Sequence, residues 1–287
     1  ASFTKRGDAM VPVVRPEFSL RSRFLRTLSV LGFTALTSGC ALFQSGPGGD
    51  PVRMSESEFD VAADLWTRQN DPREALKHGL RAVELDGENA DAAHLVALLY
   101  LDFCQNSQID ECRLGEAEKY AKKAIAARDD YLQAQNTLAV VYIHQKRPAE
   151  AIQILVPITE NILYPTPEIA WGNLGWAYLE QGDTNQAIPA LRRAVAAQPL
   201  FCVGNYRLGV AFHRAGQLES ARDALDRALE TDAPGCGNLQ DAYLERAQVH
   251  MALGELELTR ADLDRCIGLQ KTNPAGRTCG KLLSTIQ

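Results

Sequence analysis

One recurring spacing constrains this chain more than any other feature. From Glu168 the sequence sets Trp171, Leu174, Gly175 and Tyr178 on one stretch, then Ala187, Leu191, Ala194 and Pro199 on the next. A shift of 34 residues reproduces the set as Leu208, Gly209, Phe212, Ala221, Leu225 and Ala228. Moving back 36 from Ala187 reaches Ala151, with Leu138, Ala139 and Tyr142 ahead of it. Ala117 lies 34 before that, and Ala75 a further 42 before, preceded by Phe59, Ala62, Ala63 and Trp66. A weaker sixth set holds Tyr243, Ala247, His250, Gly254, Leu263 and Cys266, with Arg246 and Thr259 where the others carry Leu and Ala. Apolar residues three and four apart mark amphipathic helices. Gly and Ala fall where two antiparallel helices would approach most closely, large residues stand beside them, and Pro ends the second helix. A unit this short cannot bury its apolar face alone, so the copies must stack.

The pattern resembles the tetratricopeptide repeat. The resemblance implies an all-α superhelical solenoid of about six helix-turn-helix units. The register sets them at 56–89, 90–131, 132–165, 168–201, 202–235 and 240–273, with 274–287 as a capping segment. The substitutions in the sixth unit suit a terminal repeat, which packs on one side only.

The chain ahead of the repeats reads as a targeting signal. Arg21, Arg23 and Arg26 precede an apolar stretch from Leu28 to Leu36, then Thr37-Ser38-Gly39-Cys40. That stretch is too short to span a bilayer and suits a cleaved signal peptide over residues 1–39. Small residues before a cysteine resemble a bacterial lipobox, with Thr37 where the pattern has an aliphatic residue. The resemblance implies acylation of Cys40, and Ala41 after it implies default sorting to the outer membrane, on the periplasmic side. Residues 40–55 would be the lipidated cysteine and a flexible tether, Gln44–Asp50 being rich in Gly, Ser and Pro. Met10 is a candidate initiator, so residues 1–9 are expected to lie outside the natural product. Residues 1–39 carry a net charge of +4; the total of −6 therefore leaves −10 from residue 40 onward. So acidic a body repels phosphate backbones, which argues against a nucleic-acid partner.

Cys104, Cys112, Cys202, Cys236, Cys266 and Cys279 form an even set behind a secretion signal, which suggests disulfides. Six cysteines allow 15 pairings. The repeat register favours local ones. Cys104 and Cys112 share an eight-residue enlargement of the second unit, and Cys202 and Cys236 mark the ends of the fifth hairpin, which meet in space. Cys266 and Cys279 would tie the last unit to its cap.

Signs of catalysis are missing. The five histidines (His78, His94, His144, His213, His250) fall in different units, with no H-E-x-x-H or H-x-x-x-H pair. No phosphate-binding G-x-x-x-x-G-K-[ST], no G-x-S-x-G and no C-x-x-C occurs. The expectation is a scaffold with no cofactor, metal or small-molecule substrate. In tetratricopeptide stacks the first helix of each unit lines the concave groove at positions 2, 5, 9 and 12. Positions 9 and 12 here are Leu98 and Leu101, Val140 and Ile143, Trp176 and Leu179, then Val210 and His213, with Tyr206 at position 5 of the fifth unit. An apolar stripe of this kind suits an apolar or amphipathic peptide. Position 5 is otherwise Asp60, His94, Asn136 and Gly172, which lacks the Lys and Asn set that clamps a terminal carboxylate in chaperone-binding repeats.

With a lipobox, six units, and Tyr164-Pro165-Thr166-Pro167-Glu168 leading into Trp171-Gly172-Asn173-Leu174-Gly175, the chain resembles the type IV pilus pilotins, the PilF, PilW and Tgl group. The extra cysteines set it nearest the Tgl branch, required for social motility in gliding bacteria. The resemblance implies an outer-membrane lipoprotein that binds secretin subunits and promotes their localisation and multimerisation. The competing expectation is a general envelope scaffold that recruits peptidoglycan enzymes or outer-membrane assembly factors.

Overall fold

A computed structural model of the chain describes residues 49–105, 112–231 and 236–286. Among them all regular structure is helical: thirteen α-helices and one 3-10 turn at Cys236–Asn238. Twelve of the helices pair as A and B members of six hairpins. These are α1 (Pro51–Thr67) with α2 (Pro72–Leu85), α3 (Ala90–Gln105) with α4 (Leu114–Ala127), and α5 (Leu132–His144) with α6 (Pro148–Glu160). Then follow α7 (Pro167–Gln181) with α8 (Thr184–Ala197), α9 (Cys202–Arg214) with α10 (Leu218–Glu230), and α11 (Gln240–Leu253) with α12 (Leu256–Leu269). A last helix, α13 (Pro274–Leu283), packs on α12 and α11 as a cap. The fold is the all-α tetratricopeptide-repeat solenoid.

Local chemistry sets the helix ends. Asp71 and Asp183 cap α2 and α8 by accepting from the backbone N–H of Glu74 and Gln186, both at 3.1 Å. Asn273 does the same for α13 with Gly276 at 2.8 Å. The tight A-to-B turns need one residue in the left-handed region: Asn70 (φ 56°), Lys146 (φ 61°), Gly182 (φ 85°), Gly216 (φ 74°) and Gly254 (φ 80°) fill it in five of the six hairpins. The second hairpin carries the enlarged connection instead. One boundary differs from the sequence expectation. α1 begins at Pro51, inside the segment expected to be tether and ahead of Glu56. The side chain of Asp50 accepts from Val52 N–H at 3.1 Å and Pro51 takes the first helical turn, so an N-cap and a helix-starting proline lie hidden in a Gly- and Pro-rich stretch.

Within a hairpin the helices meet where the pattern places Gly. A Cβ added at Gly175 would lie 2.4 Å from Leu191 Cγ, and one at Gly209 would lie 2.5 Å from Leu225 Cγ. Leu191 and Leu225 are fully buried, and truncating such a side chain to Ala costs about 2–5 kcal/mol. Between hairpins, each A helix also touches the next A helix, α1 with α3, α3 with α5, α5 with α7, α7 with α9 and α9 with α11. The A helices therefore form the inner wall of a curved stack. Three disulfides are present. Cys104–Cys112 closes the enlarged turn (Cα–Cα 4.3 Å), Cys202–Cys236 joins the two ends of the fifth hairpin (5.8 Å), and Cys266–Cys279 fastens α13 to α12 (6.3 Å).

Candidate peptide-binding groove

The inner wall is less apolar than the sequence suggests, because most of the expected stripe is core. Leu98, Leu101, Ile143, Leu179 and Val210 are all buried. Leu98 packs with Ala62 and Trp66, and Leu101 with Tyr131 and Val141. Ile143 sits with Leu155 and Leu174, while Leu179 and Val210 join the cluster around Leu191 and Leu225. These side chains pack into the clusters between neighbouring helices instead of facing the groove. Val140, Trp176, Tyr206 and His213 stay partly exposed. At position 5, Asp60 is exposed whereas His94, Asn136 and Gly172 are buried. Cys40 lies outside the described residues.

A polar ladder runs through the inner wall. His94 is hydrogen-bonded to Tyr131 Oη (3.0 Å) and to Thr137 Oγ1 on the next A helix (2.8 Å). Burial pulls the His94 imidazole down to about 4, so it is neutral at physiological pH. Asn173 on α7 donates to Asn136 Oδ1 on α5 at 3.2 Å. Arg207 on α9 reaches back to α7, donating through Nη1 to Asn173 Oδ1 (3.0 Å) and to the Gly172 carbonyl (3.1 Å). Its guanidinium carbon stands 4.4 Å from the centre of the Trp176 ring, and His144 meets that ring edge-on at 5.0 Å.

Arg207 is the unusual member. The residue is 6% exposed, its Nε has no acceptor, and among the described residues no carboxylate lies within ion-pair distance. Burial pulls the guanidinium down to about 9, which leaves it charged at neutral pH. Tyr206 beside it is held neutral by burial. The next A helix has the opposite character. Burial, with Glu245 nearby, raises Asp241 to about 6, and Glu245 pairs with His213 at 2.7 Å. The groove then ends in a depression of about 480 Å³, lined by His213, Gln248, Met251 and Ala252 and by Thr278 and Leu282 of the cap helix.

The wall thus presents a partly exposed Trp176 and Val140, with the buried Arg207 guanidinium against the Trp176 ring. Sequence reasoning missed Asn173 and Arg207. They stand 34 residues apart at position 6 of consecutive units, next to the mapped position 5, so the register itself could have found them. Among the described residues no group of three or more His, Cys, Asp or Glu side chains could hold a metal ion, and no helix is long and apolar enough to cross a membrane.

Two segments of the chain, 109–162 and 173–235, match models described as "Tetratricopeptide repeat". Repeats of this kind are generally protein-interaction modules. A 60-residue segment is 40% identical to the TPR repeat-containing protein PA0015 of Pseudomonas aeruginosa, which covers 21% of this chain and 57% of that protein. The chain therefore spans less than two-thirds of that relative. Among solved structures, PilW, a widely conserved type IV pilus biogenesis factor, is similar with a TM-score of 0.64 at 23% identity, over 78% of this chain and 97% of that one. Pseudomonas aeruginosa pilF is similar with a TM-score of 0.61 at 16% identity, over 81% and 99%. Cut9, from the Cut9–Hcn1 assembly of the APC/C, has a TM-score of 0.67 at 15% identity, over 81% of this chain and 42% of that one. At these identities the likeness is one of fold.

Proposed function

We propose that this protein is a pilotin: it binds type IV pilus secretin subunits along its concave groove and promotes their outer-membrane localisation and multimerisation. What supports the reading is length as well as fold. The likeness takes in nearly the whole of PilW and pilF, whereas the much longer Cut9 shares only a part of its stack. A pilotin needs a surface for a protein segment, and the partly exposed Trp176 and Val140 supply one with no catalytic group required. The membrane anchor in this reading is the acylated Cys40. A single acyl chain binds a membrane only marginally, so stable attachment requires multiple acylation of that cysteine.

The test follows the secretin's conversion from monomer to multimer in cells with and without the protein. Loss of multimers in the deletion strain, restored by the wild-type gene and not by a Cys40→Ser variant, is the expected result. Normal multimers in the deletion strain would remove the pilotin role. The same fractionation asks where the Cys40→Ser protein goes. It should leave the outer membrane, and its retention there would eliminate the lipid anchor.

A further inference from the structure

Two consecutive connections of the stack carry large apolar side chains that the fold does not use. Ile162 is 96% and Leu163 83% exposed in the connection from α6 to α7, and Leu200 is 64% exposed in the next, from α8 to α9. A lone exposed leucine needs no explanation, whereas an adjacent pair with a third on the following connection does. The first connection holds its pair outward. Asn161 Oδ1 accepts from Leu163 N–H at 2.9 Å, Tyr164 N–H donates to the Asn161 carbonyl at 3.1 Å, and Tyr164 is buried with Ile158 and Ala170. At the same end of the fourth hairpin, the Arg193 guanidinium of α8 stands 4.7 Å from the centre of the partly exposed Trp171 ring of α7. Among the described residues Arg193 makes no ion pair.

We infer that these two connections dock on the surface of a zwitterionic phospholipid bilayer, with Ile162, Leu163 and Leu200 among the acyl chains and the Trp171–Arg193 pair at the headgroups. The path of the chain selects this occupant. Every connection into the start of an A helix lies at one end of the hairpins, and so does the entry into α1 at Pro51, where Val52 and Met54 are exposed. Ten residues lead from Cys40 to Asp50, and they reach about 35 Å at most. A lipid on Cys40 therefore keeps that end of the stack beside the membrane. The inference rests on this part of the proposed reading and not on the groove or the secretin. An indole ring and a guanidinium both suit the layer where apolar tails meet polar headgroups. Charge selects the lipid. Glu160 and Glu168 flank the tip, and the body from residue 40 onward carries −10, so an anionic surface repels the molecule and a zwitterionic one does not.

The experiment uses the protein purified from cell membranes, placed in phosphatidylcholine vesicles. A diazirine amino acid replaces Leu163, Asp129 of the preceding connection, or Leu258 of α12, one at a time, and mass spectrometry after irradiation reads adducts on acyl chains. The expected result is a lipid adduct from position 163 and only background from 129 and 258, with the adduct weakened when phosphatidylglycerol replaces phosphatidylcholine. A second arm follows transfer between vesicles. Ile162→Ser with Leu163→Ser and Leu200→Ser should speed transfer by about tenfold or more, since the lost apolar contact with the bilayer held the protein there. Its thermal melt should not move, because these side chains pack against nothing in the fold. If that variant misfolds, the adduct from position 163 decides. No lipid adduct from 163, equal adducts from all three positions, or unchanged transfer of the folded triple variant overturns the inference. An adduct from 163 in cells to a protein in place of lipid also overturns it and gives the tip to a protein partner. The intact mass reports acylation of Cys40 separately. An unacylated protein that still gives the adduct from 163 refutes the anchor and keeps this inference, whereas an acylated one without the adduct does the reverse.

Discussion

Arg246 occupies the position where the stronger repeats carry a buried Leu, and its surroundings explain how the hairpin tolerates it. The guanidinium makes a two-pronged contact with Asp262 (2.8 and 2.7 Å) and a third bond to Asp226 on the preceding repeat (2.8 Å). Asp262 is buried and also lies 3.6 Å from His250 Nε2. Arg246→Met should therefore cost about 3 kcal/mol in chemical denaturation by leaving the buried Asp262 carboxylate without its guanidinium, and Arg246→Met combined with Asp262→Leu should recover part of it. A single variant as stable as wild type would show that the network contributes nothing, and a double variant no more stable than the single would show that the unpaired carboxylate is not the cost. His94 makes a second prediction. Its folded pKa of about 4 lies below the unfolded value of 6.5, so the unfolded chain binds more protons between these limits. Stability from this group is present above pH 6.5 and is lost as pH falls towards 4, by about 2 kcal/mol between pH 7 and 5. Asp241 opposes it, because a carboxylate raised to about 6 destabilises the fold as pH rises from 4 to 6. The measurement is therefore a difference: unfolding free energy at pH 7 and 5 for wild type and His94→Gln, with the smaller acid loss expected in the variant. Identical losses would mean that His94 does not titrate as its burial dictates. At this scale the sequence was least informative. Periodicity tells that Leu101 or Ile143 faces inward on its helix, but the packing between neighbouring helices decides whether inward means groove or core. An arginine such as Arg207 reads in sequence as a solvated charge unless its repeat position is tracked.

Helix boundaries, by contrast, follow from local signals that a sequence carries openly. The Gly175–Leu191 and Gly209–Leu225 approaches fall where the repeat register puts them, and Pro199 stands just past the end of α8. The start of α1 was obscured because Asp50-Pro51 sits against Gly48 and Gly49, whose composition reads as linker. The cysteine pairs depend on both scales: the register brings Cys202 and Cys236 to the same end of one hairpin, and the structure bonds them. Closing a loop with a sequence separation of 34 restricts the unfolded chain, which predicts a loss of about 2–4 kcal/mol on Cys202→Ala with Cys236→Ala. Urea titration of the double variant checks this. An unchanged midpoint, together with six free thiols in the unreduced wild type, would contradict the bonded structure.

For the whole molecule, stacking six hairpins yields one continuous inner wall, and in the proposed reading the few side chains that escape the core choose the partner. Val140, Trp176 and Tyr206 lie on that wall, whereas Leu258, 51% exposed, lies on the outer B helix α12. The most direct test replaces Val140, and separately Leu258, with a photo-crosslinking amino acid in cells that make the pilus secretin. The account predicts a covalent adduct with the secretin from position 140 and none from position 258. An adduct from position 258 alone, or none from either site while the secretin still assembles in a manner dependent on this protein, would contradict it.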